Sequence, residues 1–196
     1  MGHLPFVTLY TITYNQSDIL GQVLKHLYRQ IYPSNSWQIV VLDDGSSDGT
    51  SGLLAEMALY SPVHLKVIAE SHVADYMSAK RWNQCIAYGI SNTDIFIQID
   101  DVLTRPDFIQ QHVKWHIKDF AYLVTGAKFE GQEETWELSA CRRSSLARPD
   151  GKAAEISFYT AVWGASLSFS KNLMERVYKA PYECPFDERM TGWGYH

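Results

Sequence analysis

Cysteine is scarce in this 196-residue chain: Cys85, Cys141 and Cys184 lie far apart and form no C-x-x-C pair. That spacing excludes a disulfide scaffold and disfavours a structural zinc site, and it fits reduced thiols in a cytoplasmic protein. Long apolar runs are missing too. Nothing approaches the roughly 20 residues that a membrane-spanning helix needs. The N-terminus lacks the basic, apolar, small-residue order of a signal peptide. Phe6 stands where a myristoylation motif would carry Ser or Thr. Positive charge is not in excess: the formal net charge is −5, which argues against a protein that coats nucleic acid. The first strand is followed by no G-x-G-x-x-G, and no G-x-x-x-x-G-K-[ST] loop occurs. An ordinary dinucleotide-binding dehydrogenase and a P-loop enzyme are both disfavoured.

What is present suits one domain with a real core. Hydrophobic residues make up 46% of the chain and aromatics 13%, far from the composition of a disordered segment. The aromatics suit stacking on sugar rings or bases, though core packing is the plainer reading.

Strand and helix patterns alternate. Phe6 to Ile12 reads as a buried strand, and Leu20, Val23, Leu24 and Leu27 then recur at helical spacing, with Ser17 as the expected cap. Trp37 to Leu42 predicts a second strand, followed by a polar Gly/Ser turn and a helix carrying Leu53, Leu54 and Met57. Val63 to Ala69, Ile95 to Ile99 and Tyr122 to Lys128 predict three more strands, with helices between them around Trp82 to Ile90 and after Thr104, a second expected cap. Such alternation predicts parallel strands joined by right-handed crossovers. Beyond them, 130–155 reads as an Arg-rich lid-like loop, Ala161 to Ser170 as a strand and Lys171 to Tyr178 as a short helix.

In an open α/β sheet, ligands bind outside the carboxyl ends of the strands. The polar residues there are Thr13-Tyr14-Asn15, the run from Asp43 to Thr50, and Asp100-Asp101. One Asp at a strand end is usually a cap or turn former, and Asp48 is read that way. Asp44, Asp100 and Asp101 together ask for a cation, or for a ligand rich in hydrogen-bond donors. A divalent metal carrying a diphosphate meets the first need. A uracil imide and ribose hydroxyls meet the second.

These residues resemble glycosyltransferase family 2, of the GT-A fold, over nearly the whole chain from Phe6 to His196. The resemblance is carried by Thr13-Tyr14-Asn15, by Val41 through Thr50, and by Asp100-Asp101 with Pro106 and Asp107. Gly164 through Phe169 and Phe186-Asp187-Glu188 with Gly192-Trp193-Gly194 complete it. It implies an α/β fold with a Rossmann-like, mostly parallel sheet flanked by helices and an irregular C-terminal acceptor-side part. One domain is expected over 1–196, with a nucleotide-binding half to about residue 104.

The implied roles follow. Asp44 would accept from the uracil imide, Thr13, Tyr14 and Asn15 would line the nucleoside pocket, and Asp100 would bind ribose. Asp101 would hold Mn²⁺ or Mg²⁺; the family often shows Asp-x-Asp here, and in this chain the first position is Ile99. Lys80 or Arg81 would contact pyrophosphate, or else lie on a solvated helix face. Trp163, Gly164, Trp193 and Gly194 would form the acceptor side. The family's catalytic base usually follows Gly-Trp-Gly, where only Tyr195 and His196 remain, so truncation is expected; His196, Asp187 and Glu188 are the alternatives within the chain.

The expected activity is an inverting, metal-dependent hexosyl- or N-acetylhexosaminyl-transfer from a UDP-sugar to a glycan, lipid-linked or small-molecule acceptor. The expected location is cytoplasmic, with contact to the inner membrane made through the acceptor. A nucleotide- or glycan-binding module without turnover and a nucleotidyltransferase are the alternatives; the latter would want a Gly/Arg/Lys-rich loop after the first strand.

Overall fold

The computed structural model describes residues 4–72, 78–118, 123–125 and 166–173. Along the chain run β1 (Val7–Thr13), α1 (Ser17–Leu27), a 3-10 turn (Ser34–Ser36), β2 (Trp37–Asp43), α2 (Thr50–Leu59) and β3 (His64–Ala69). Then follow α3 (Ser78–Gly89), β4 (Ile95–Ile99), α4 (Phe108–Lys118), β5 (Leu123–Thr125) and β6 (Ser166–Ser170). The strands form one six-stranded sheet in the order β3-β2-β1-β4-β6-β5.

β1 to β4 are mutually parallel, in the register Thr13↔Asp43 between β1 and β2 and Asp43↔Ala69 between β2 and β3. β2 is buried at all seven positions, as expected of a central parallel strand covered on both faces. Alternate residues serve two cores. Val7, Leu9, Ile39, Val41 and Ile97 meet Leu20, Leu24 and Leu27 of α1, Leu54 of α2, and Ile109 and Val113 of α4. Tyr10, Val40, Leu42 and Phe96 meet Cys85 and Ile86 of α3, together with Leu167 and Phe169 of β6. Burial pushes the Cys85 thiol up to about 12, so in the fold it is an unreactive packing residue.

The sheet is mostly parallel, as expected, with β6 antiparallel to both β4 and β5. Two expectations about helix ends need correction.

Ser17 is the first residue of α1 rather than its side-chain cap. Its N–H donates instead to Asp48 Oδ2 at 3.1 Å, so a carboxylate from the β2–α2 loop satisfies that helix end. Thr104 does not cap α4, which begins at Phe108; Gln30, just past α1, accepts the Ile109 N–H at 3.0 Å. In both cases a partner remote in sequence does what a local side chain was expected to do.

β6 is also tied to α4 by a buried polar cluster. His112 Nδ1 lies 2.7 Å and His116 Nε2 2.8 Å from Ser168 Oγ. Burial first, and the neighbouring His116 second, push His112 down to about 3, so it is neutral at ordinary pH.

The expected loop over 130–155, residues 161–165, and the helix beyond Leu173 lie outside the described residues, as do Cys141 and Cys184.

Candidate functional site

Four strand ends meet at one edge of the sheet. β1 runs out into Thr13-Tyr14-Asn15 and β2 into Asp43-Asp44. β3 runs into Glu70-Ser71-His72, and β4 into Asp100-Asp101. Backbone bonds clamp the first three together: the Asp44 N–H donates to Thr13 O and the Glu70 N–H to Asp43 O, each at 2.9 Å.

The loops cross-brace one another. Asn15 has φ +51°, a left-handed conformation that Asn tolerates better than most residues. Its N–H donates to Ser46 Oγ at 2.9 Å, and its Oδ1 accepts the Ser47 N–H at 2.7 Å. Asp43, buried, accepts the Ser46 N–H at 3.0 Å and the Ser51 hydroxyl at 2.7 Å. Asp48 accepts from Thr50 N–H and hydroxyl as well as from Ser17. These bonds, the Thr50 hydroxyl foremost, bring its carboxyl down to about 2. Asp48 is not itself the N-cap of α2, which is Gly49, but it accepts the first N–H of both α1 and α2.

Gly45 is the residue that lets the β3 end approach. Its φ is +75°, and a Cβ there would overlap the backbone nitrogen of His72. No other residue fits both constraints.

Asp44 sits at the centre, 3% exposed. Arg81 of α3, 4% exposed, sends Nε and Nη2 to Asp44 Oδ1, both at 2.7 Å. Arg81 also bonds Glu70 at 3.0 Å, Ser71 O at 2.9 Å and Gln84 Oε1 at 3.3 Å. Three of these contacts are hydrogen bonds and the other two are ion-pair contacts. Asp44 Oδ2 meets His72 Nδ1 at 3.1 Å. The His72 ring lies flat on Tyr14, with centroids 4.0 Å apart and planes 9° from parallel.

The nucleotide-side candidates are therefore partly assembled. Thr13, Tyr14, Asn15, Asp44 and Arg81 form one connected cluster, and Arg81 is buried rather than on a solvated face. Lys80, beside it on α3, is exposed. Thr13 Oγ1 is buried with no hydrogen-bond partner, a rare condition for a hydroxyl. His72, Glu70 and Gln84 were missed in the sequence reading. The signal was there: Glu70-Ser71-His72 follows the third strand, at the same edge that singled out the other strand ends.

Asp100 is half-buried and Asp101 exposed at the end of β4. Asp101 makes no hydrogen bond or ion pair among the described residues. Ile99, at the first position of the expected Asp-x-Asp, is 1% exposed and belongs to the core. Among the described residues no group of three or more His, Cys, Asp or Glu side chains could hold a metal ion unaided. An exposed carboxylate beside a half-buried one suits a hard cation that takes its other ligands from phosphate and water. The residues fit Mn²⁺ or Mg²⁺ on those terms. Trp163, Gly164, Asp187, Glu188, Trp193, Gly194 and His196 lie outside the described residues, so the acceptor side and the base candidates have no geometry here. No described helix is long and apolar enough to cross a membrane.

Comparison with known proteins gives the family and the fold. The model of the family described as glycosyl transferase family 2 matches residues 8–183. A β-monoglucosyldiacylglycerol synthase from Trichormus variabilis is 33% identical over 57 residues, 29% of this chain and 12% of that protein. The glycosyltransferase AglE of Haloferax volcanii is 31% identical over 55 residues, 28% of this chain and 18% of that one. Among solved structures, the mannosyltransferase PcManGT from Pyrobaculum calidifontis, in complex with GDP-Man and Mn²⁺, superposes with a TM-score of 0.66 at 20% identity. That match covers 89% of this chain and 47% of the other. S. aureus TarS 1-349 in complex with UDP-GlcNAc has the same TM-score at 15% identity, over 87% and 47% of the two chains. At those identities the likeness is one of fold. The chain spans about half the length of the solved structures it matches.

Proposed function

The chain belongs to glycosyl transferase family 2, and from that premise we propose that it transfers a sugar, with inversion, from a UDP-sugar to an acceptor hydroxyl. The observation that carries the donor side of this reading is the meeting of Tyr14, Asp44 and the Asp100–Asp101 corner at one sheet edge. Asp44 Oδ2 takes the base through a ring N–H, Tyr14 supplies a face for it, and Asp100 takes the ribose. The partnerless Thr13 hydroxyl offers one more hydrogen bond to the nucleoside. Lys80 is the exposed cation nearest in sequence to this cluster and serves the diphosphate. The TarS complex with UDP-GlcNAc favours a uridine donor, while the mannosyltransferase complex with GDP-Man keeps guanosine in the comparison.

Asp101, with Asp100 beside it, would hold Mn²⁺ or Mg²⁺. The ion would supply Lewis-acid stabilisation of the leaving diphosphate. The donor half extends to about residue 104, and the acceptor half from about residue 105 onward.

The test is calorimetry with UDP, GDP and ADP, with and without Mn²⁺, followed by a panel of UDP-sugars scored for UDP release. UDP binding strengthened by Mn²⁺ is the expected result. Failure of every nucleoside diphosphate to bind would overturn the reading, and binding with no turnover on any acceptor would favour a binding module.

A further inference from the structure

Resting on that donor reading and going beyond it, we propose that His72 is a built-in stand-in for the nucleobase, seated in the base's own place and displaced when the donor binds. The argument begins with the two oxygens of Asp44. Oδ1 takes two guanidinium nitrogens of Arg81, so Oδ2 is the oxygen left for a ligand. His72 Nδ1 is on it, at 3.1 Å. A carboxylate oxygen accepts, so Nδ1 carries the hydrogen and His72 donates a ring N–H, the same group a uracil imide offers.

The second contact repeats the match. A flat heteroaromatic ring lies on Tyr14 at 4.0 Å and 9°, the separation and tilt of a stacked base. A base cannot slip between the two rings, because a third ring in the stack would need about twice that separation. Occupation by His72 and occupation by the donor are therefore alternatives.

The imidazole can leave while its backbone stays. Ser71 O is held by Arg81 at 2.9 Å, the Glu70 N–H by Asp43 O at 2.9 Å, and the His72 nitrogen lies against Gly45. The side chain itself is 36% exposed, so rotation about its own χ1 carries the ring into solvent. His72 thus keeps Asp44 Oδ2 and Tyr14 satisfied in the free protein, and it sets a threshold that a ligand must exceed. A base with a ring N–H and a stacking face replaces both contacts; a sugar or a bare phosphate replaces neither.

Apparent affinity is reduced by the fraction of molecules whose site is open. His72→Ala should therefore tighten UDP binding by roughly fivefold or more, read by calorimetry without metal. His72→Phe, which keeps a ring on Tyr14 but lacks the donor, should fall between His72→Ala and the unmodified chain. In the unmodified chain, the His72 ring protons should start upfield-shifted by Tyr14 and move toward their free-histidine positions as UDP saturates. That NMR readout does not depend on either variant folding.

UDP affinity unchanged or weakened in His72→Ala, or ring protons that stay shifted at saturating UDP, would overturn the stand-in and leave the donor reading intact. Absence of UDP binding in the unmodified chain and in both variants would instead overturn the donor reading and this inference with it.

Discussion

At the end of β2, Asp43 and Asp44 are buried and each carboxylate is held by two partners. At the end of β4, Asp100 is half-buried, and Asp101 is exposed with no hydrogen bond or ion pair among the described residues. Two identical dipeptides at the same sheet edge thus differ most at their second residue, Asp44 being buried and Asp101 exposed. The buried pair is built into the protein, with Asp44 Oδ1 on Arg81 and Oδ2 on His72. At the other end, the Asp101 side chain stands in solvent, and the proposed function gives it to a metal ion. A carboxylate's chemistry is intrinsic, but whether it serves the fold or a ligand depends on what the neighbouring strands and helices bring to it.

The largest effect should come from breaking the buried side. Arg81→Leu leaves Asp44 without its guanidinium, and removing one member of a buried ion pair costs about 3–5 kcal/mol. Urea unfolding should register that loss. The double change Arg81→Leu with Asp44→Leu should lose less than the two single losses added together, because no buried charge is then stranded. Additive losses would mean that Arg81 acts mainly through Glu70 and Gln84.

The exposed corner should answer in the opposite way. Asp101→Ala should leave unfolding within about 0.5 kcal/mol and remove the Mn²⁺-dependent part of UDP affinity, about 2–3 kcal/mol for a direct contact to a charged group. A large loss of stability, or an unchanged metal effect, would erase the contrast between the two ends.

His112 sharpens the same contrast, since it meets burial by shedding its proton rather than by pairing with a charge. Its folded-state value of about 3 lies below the ordinary 6.5. Between those two values the unfolded chain binds a proton that the folded one refuses. Stability should therefore fall as pH drops from 6.5 toward 3, by up to about 1.4 kcal/mol per pH unit. The slope should flatten in His112→Gln; an identical slope in both proteins would place the titration elsewhere.

The smallest effect concerns Asp48, fully exposed yet held at about 2. Its hydrogen bonds contribute stability above its ordinary value of 3.8, and that contribution is lost as pH falls through about 2. Asp48→Asn should blunt only this last stretch of acid unfolding.

Much of the first hundred residues was legible in the sequence. The predicted Ile95 to Ile99 strand is the observed β4, and the expected first strand is offset from β1 by a single residue. Leu20, Val23, Leu24 and Leu27 are buried as their spacing predicts. Continuous apolar runs between polar turns leave few alternatives for a buried strand, which is why those readings succeed. Ser17 and Thr104 misled because capping was assumed to be local, whereas Asp48 and Gln30 reach the helix ends from other loops. The antiparallel β6 was not legible either, since direction is set by pairing and not by composition.

The sequence by itself determined the alternation of strands and helices, the placing of acidic residues at strand ends, and the family pattern that those residues carry. Only the tertiary structure decided what surrounds each of them. Arg81 and His72 lie 37 and 28 residues from Asp44 along the chain, too far for any periodicity to link them. The parallel sheet brings β2, β3 and the start of α3 to one edge. Gly45 then removes the one side-chain atom that would keep the β3 end away. Contact across such separations depends on chain topology and close packing, which a linear pattern of residue types does not encode.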